Sequence, residues 1–168
     1  YPSTTLAVFD PSRPVTTGSA DVDGAGGQNS DAPHIASLES NPRLLLRMAD
    51  HTRTHYGLSM AVGADGRIYV GGRVYRAGTG GGFGWYDPRT GEAGGLWQPF
   101  TAYTVYQICA VNSGRYIVCA TAPTKDDANP KDRPEAGKLF VFDVGRREVA
   151  REICPVAKGA TGPVVEVA

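Results

Sequence analysis

Apolar and polar positions alternate in short runs along most of the chain, and turn residues close each run. Leu58 to Val62, Arg67 to Val70, Phe83 to Tyr86 and Gly95 to Gln98 each have the length and alternation of a strand. Gly63-Ala64-Asp65-Gly66 joins the first two, and Asp87-Pro88-Arg89-Thr90-Gly91 joins the last two. Both turns supply a glycine that takes a positive φ without steric cost. Val105 to Val111 opens a further set. No segment sustains a helical period. Pro42 to Asp50, with its Leu44-Leu45-Leu46, resembles a short helix, but Leu44 to Met48 aligns with Val149 to Ile153 and is read as an outer strand. The pattern predicts an all-β chain of antiparallel strands.

The strands repeat. Leu6 to Asp10, Phe83 to Asp87 and Leu139 to Asp143 share an ending of an aromatic residue followed by Asp. Gly66-Arg67-Ile68-Tyr69-Val70 and Gly114-Arg115-Tyr116-Ile117-Val118 share a turn followed by a strand. Gly66 to Gly114 is 48 residues, and Asp87 to Asp143 is 56 because the loop at Thr121 to Gly137 is longer than Gly71 to Gly82. Asp87 to Val111 and Asp143 to Val167 are both 24, so Gly162 to Val167 repeats Tyr106 to Val111. A unit of roughly 45 to 55 residues with about four strands has the spacing of one propeller blade.

The run from Asp65 to Gly71, a glycine-rich loop, and then Trp85-Tyr86-Asp87-Pro88-Arg89-Thr90-Gly91-Glu92 resembles the blades of bacterial Kelch-like and quinoprotein-like β-propellers. The resemblance implies antiparallel four-stranded blades in an open partial propeller. Residues 43–98 and 99–152 form two blade-like repeats, 153–168 starts the next, and 14–42 is a low-complexity insertion without a counterpart. The chain begins at Tyr1 and ends within a strand-like run, so the reading expects a segment of a longer protein with its remaining blades elsewhere. It also expects the segment alone to be prone to association through unpaired edges.

Charge narrows the function classes. The 168 residues carry 17 Lys plus Arg against 17 Asp plus Glu, a net charge of zero, which argues against nucleic-acid binding by phosphate neutralisation. No apolar run reaches the roughly 20 residues of a spanning helix. Cys109, Cys119 and Cys154 lack the spacing of a zinc site. Cys109 and Cys119 flank one hairpin, which leaves open either a cross-strand disulfide or two reduced, buried thiols. Asp21-Val22-Asp23-Gly24 begins like a calcium loop but lacks the closing Glu, and Gly78-Thr79-Gly80-Gly81-Gly82 lacks the Lys and Ser/Thr of a phosphate loop. The reading assigns no metal and no cofactor.

In an up-and-down blade, loops alternate between two faces. One face then gathers His51, Arg53, His55 and Tyr56, then Arg73, Tyr75 and Arg76, then Tyr103 and Tyr106, with Lys125, Lys131, Arg133 and Lys158 further along. Such a basic, aromatic surface suits an anionic polysaccharide or a protein partner. A binding or scaffolding module is the first reading, with an extracellular or periplasmic setting. A protein-interaction propeller is one alternative. The other is a lyase-like enzyme, since several polysaccharide lyases are propellers, with His55 and Tyr56 as acid-base groups and Arg neutralising a uronate. A solvated rim with tyrosines packed between blades accounts for the same residues without any ligand.

Overall fold

The computed structural model describes residues 5–16, 41–52, 54–73, 81–124, 134 and 136–155. Residues 17–40 of the insertion and the run from 162 to 167 lie outside them. The described residues form an all-β protein of three antiparallel sheets.

The first sheet pairs β1 (Thr5–Val8) with β2 (Arg43–Arg47), and a short helix α1 (Met48–Thr52) follows. The second is a meander of β3 (Tyr56–Val62), β4 (Ile68–Arg73), β5 (Gly81–Tyr86) and β6 (Ala93–Leu96). The third repeats it with β7 (Tyr103–Val111), β8 (Tyr116–Pro123), β9 (Leu139–Asp143) and β10 (Glu148–Ile153). The expected strands are therefore present, with two local differences. The outer strand ends at Arg47 and Met48 begins α1, where it is fully buried beside β5 and β6. The fourth strand of the second sheet starts two residues early, at Ala93, because the turn closed by Gly91 at φ 77° returns the chain at once onto β5. Pro99 then leads into a single 3-10 turn at Phe100–Ala102.

The aromatic-Asp endings do one job in all three sheets. Each Asp lies at or just beyond the end of its strand, β1, β5 or β9, and accepts the backbone N–H two residues on: Ser12 to Asp10 at 2.9 Å, Arg89 to Asp87 at 3.0 Å, Gly145 to Asp143 at 2.9 Å. A carboxylate that replaces a turn's missing backbone acceptor favours this tight return.

Strand pairing fixes the relation between the two meanders. Both carry a bulge in their first strand, at Leu58 between Gly57 and Ser59, and at Tyr106 between Val105 and Gln107. With the bulges and Asp87 and Asp143 matched, Met60 corresponds to Ile108, Val70 to Cys119, Ile68 to Ile117 and Tyr86 to Phe142. The sequence alignment matched Ile117 with Tyr69 instead, one residue off. The second hairpin holds one more residue than the first, and a one-residue slip turns a side chain to the opposite face.

That slip decides the packing. The second sheet turns Tyr69, Gly71, Phe83 and Trp85 toward the third, which answers with Ile108, Ile117, Cys119, Phe140 and Phe142. The latter set is equivalent to the face that the second sheet turns away. The sheets thus stack back to front. An aromatic core lies between them, with Phe142 5.0 Å from Phe83 and 5.6 Å from Tyr69, and Phe100 5.0 Å from Phe140, measured between ring centroids. Two glycines of the second sheet lie tight against β7 of the third. A Cβ on Gly71 would lie 2.6 Å from Val105 Cγ1, and one on Gly81 would lie 2.5 Å from the Tyr103 carbonyl oxygen, so only glycine fits at either place.

Candidate functional site

β3 and β4 run antiparallel, so residues far apart in sequence meet where β3 begins and β4 ends. Tyr56 pairs directly with Arg73, whose guanidinium carbon lies 4.7 Å above the Tyr56 ring. The His55 N–H donates to the Arg73 carbonyl at 3.0 Å and extends the ladder by one bond. His55 and Tyr56 are half-buried and Arg73 is exposed. Contact with the ring restrains an arginine that stays exposed, a state suited to a planar anion. His51, at the solvent-exposed end of α1, precedes this group in the chain.

Tyr103 occupies the position in β7 that His55 occupies before β3. It is 6 % exposed and its ring meets Phe140 edge-on at 5.3 Å, so the core takes it rather than the surface. Burial raises its phenol above the usual range. Lys138 Nζ lies 5.7 Å from the ring centre and 2.9 Å from Glu152, whose hydrogen bond raises the lysine. Tyr106 lies at the bulge and is exposed. The structure therefore brings His55, Tyr56 and Arg73 together, leaves Tyr106 on the first strand of the next sheet and encloses Tyr103. Arg53, Tyr75, Arg76, Lys125, Lys131, Arg133 and Lys158 lie outside the described residues.

The opposite end holds a charged network that sequence reasoning passed over. Arg67, whose side chain is 10 % exposed, reaches Asp65 at 3.1 Å, Asp87 at 3.5 Å and Glu92 at 3.5 Å. Its Nε faces Asp87 without hydrogen-bond geometry, so that contact is ionic only. Arg89 donates to Asp87 at 3.1 Å and to the Asp65 carbonyl at 2.9 Å, tying the two turns together. The Arg89 side-chain hydrogen bond, its N–H and the Arg67 charge hold Asp87 down at about 2. The Tyr69 hydroxyl donates to Asp65 at 3.0 Å, and burial with this bond raises the phenol well above its ordinary value. The signal was present in sequence as three acids and two arginines in paired turns. Its role follows only from the packing that shuts Arg67 away from water.

Two shallow depressions lie away from His55 and Tyr56. One is lined by Gln98, Pro99 and Val149 to Glu152, the other by Val8 to Pro11, Arg13, Asn41 and Arg43. Asn41, in the second, is buried and structural: its amide donates to the Asp10 and Arg13 carbonyls at 2.8 Å each. Among the described residues no group of three His, Cys, Asp or Glu could hold a metal ion, and no helix is long and apolar enough to cross a membrane. Cys109 pairs with Val118 while Cys119 pairs with Ile108, which puts the two thiols on opposite faces, and both are free. Comparisons with protein-family models, with curated proteins and with solved structures find no match to the chain.

Proposed function

We propose that the chain is a repeat-built binding and scaffolding module. In this reading its four-stranded sheets stack around an axis as propeller blades, and the start of β3 is a ligand-facing surface for an anionic polysaccharide. The back-to-front packing of two equivalent sheets carries the reading. A sandwich closes on itself by facing two sheets inward, whereas back-to-front stacking leaves a free face at each end of the series and extends it. The first strands lie side by side, as the Ser59 hydroxyl on β3 shows by bonding the Ile108 backbone on β7. Residues at the start of β3 therefore share one end of the stack.

At that end Arg73 supplies a fixed cation and Tyr56 an aromatic ring, the two groups that carboxylated sugars engage through charge-assisted hydrogen bonds and ring stacking. Affinity electrophoresis of the protein in gels containing polyuronate should show retardation that salt weakens. Arg73→Ala should remove most of it, and Arg73→Lys, which loses the planar fork, should restore only part. Unretarded migration of the native protein at low salt across a panel of polyuronates contradicts the ligand assignment.

A further inference from the structure

The turns at the end of the sheets away from His55 and Tyr56 set buried acids beneath exposed bases. Asp87 and Asp143 are 2 % and 7 % exposed, and their oxygens accept N–H groups of their own turns. Arg89, Arg115, Arg146 and Arg147 lie exposed on those turns. Hydrogen bonds to the backbone hold the turns together across the two sheets. The Ala64 N–H donates to the Gly114 carbonyl at 2.8 Å, the Val144 N–H to the Arg115 carbonyl at 3.0 Å, and Arg89 reaches the Asp65 carbonyl at 2.9 Å. Neither Arg115 nor Arg147 forms an ion pair among the described residues. Arg147 also takes its place against a local preference. Its turn, Asp143 to Arg147, is built like Asp87 to Gly91. In each the fifth residue donates its N–H to the Asp carbonyl at 2.8 Å and takes a left-handed φ, 77° at Gly91 and 58° at Arg147. A residue with a Cβ enters that region at a cost that glycine escapes, so glycine would serve the turn itself better.

We infer that these arginines, with Arg147 held in a strained turn to complete the group, form a docking surface for an acidic peptide segment of a partner protein. Guanidinium groups take carboxylates through paired N–H bonds, and an exposed arginine that no acid of its own chain engages is free to do so. The acids left among the bases favour a peptide over a polyanion. Glu92 and Glu148 have side chains 55 % and 60 % exposed at the same end. They repel a polymer that is charged at every unit, whereas a peptide whose acids are spaced by neutral residues meets the arginines and passes the glutamates. The surface lies at the other end of the sheets from Tyr56 and Arg73, so the inference stands apart from the polyuronate reading.

The test titrates the full chain into a fluorescein-labelled peptide in which Glu alternates with Ser, reads anisotropy at low and raised salt, and follows unfolding of the same samples in urea. The native chain should bind, and salt should weaken the complex. Arg147→Gly should weaken it by about fivefold or more while leaving the unfolding midpoint at or above that of the native chain. Arg115→Ala should weaken binding in the same direction. Arg151→Ala, which removes an equal charge from β10 away from the turns, should leave it within about twofold. Four results overturn the inference. The native chain fails to bind the peptide at low salt; Arg147→Gly binds as tightly as the native chain; Arg147→Gly lowers the unfolding midpoint, which makes the arginine a structural residue; or polyphosphate displaces the peptide at a lower concentration of charge than unlabelled peptide does, which assigns the surface to a polyanion.

Discussion

Gly71 shows how a single residue sets the distance between two sheets. The 2.6 Å approach that a Cβ would make to the buried Val105 has no room to relax, because Ile108 Cγ2 lies 2.9 Å away on the same side. Gly71→Ala should cost about 1–3 kcal/mol, read as a lower urea midpoint at unchanged slope. The charged turns give a pH prediction. Asp87 titrates at about 2 in the folded chain and near ~3.9 when unfolded. The unfolded state therefore binds the extra proton between those values, and stability contributed above about pH 4 is lost as pH falls toward about 2. Asp87→Asn should flatten that part of the stability profile. The thiols should also separate by rate: exposed Cys154 reacts readily with a thiol reagent, half-buried Cys109 more slowly, and Cys119, whose thiol burial raises, only after unfolding.

Elements were the most legible scale in the sequence. Alternation and turn glycines located the strands, and the three aromatic-Asp endings marked strand ends that the structure places in three different sheets. Register was less legible. Ile117 aligned with Tyr69 because both follow Gly-Arg and one residue, yet the extra turn residue of the second hairpin moves Ile117 to the opposite relative face. Ladder pairing reveals that shift and hydrophobic pattern conceals it, since both faces of β8 are apolar. The candidate site was legible where it depended on direct strand pairing, as for Tyr56 and Arg73, and illegible for Tyr103, whose loop-end position in sequence is a core position in space. Between elements, the Ser59 hydroxyl both receives the Ile108 N–H at 3.1 Å and donates to its carbonyl at 3.3 Å. Ser59→Ala leaves that N–H unpaired beside the bulge and should cost about 1–3 kcal/mol, with faster exchange of the Ile108 amide as the local signature.

At the scale of the whole molecule, one aromatic core serves both four-stranded sheets, so they should unfold together. Phe83→Ala removes a ring that touches Tyr69, Phe100 and Phe142, and should cost roughly 3–5 kcal/mol in a single transition seen alike by tryptophan fluorescence and circular dichroism. The central claim is the back-to-front stacking, which gives two equivalent side chains opposite surroundings. Solvent paramagnetic relaxation enhancement of their methyl groups, measured in one sample with a soluble gadolinium chelate, tests it directly. The stacking predicts strong broadening of the Met60 methyl and almost none for the Ile108 methyls. Equal broadening of the two contradicts it.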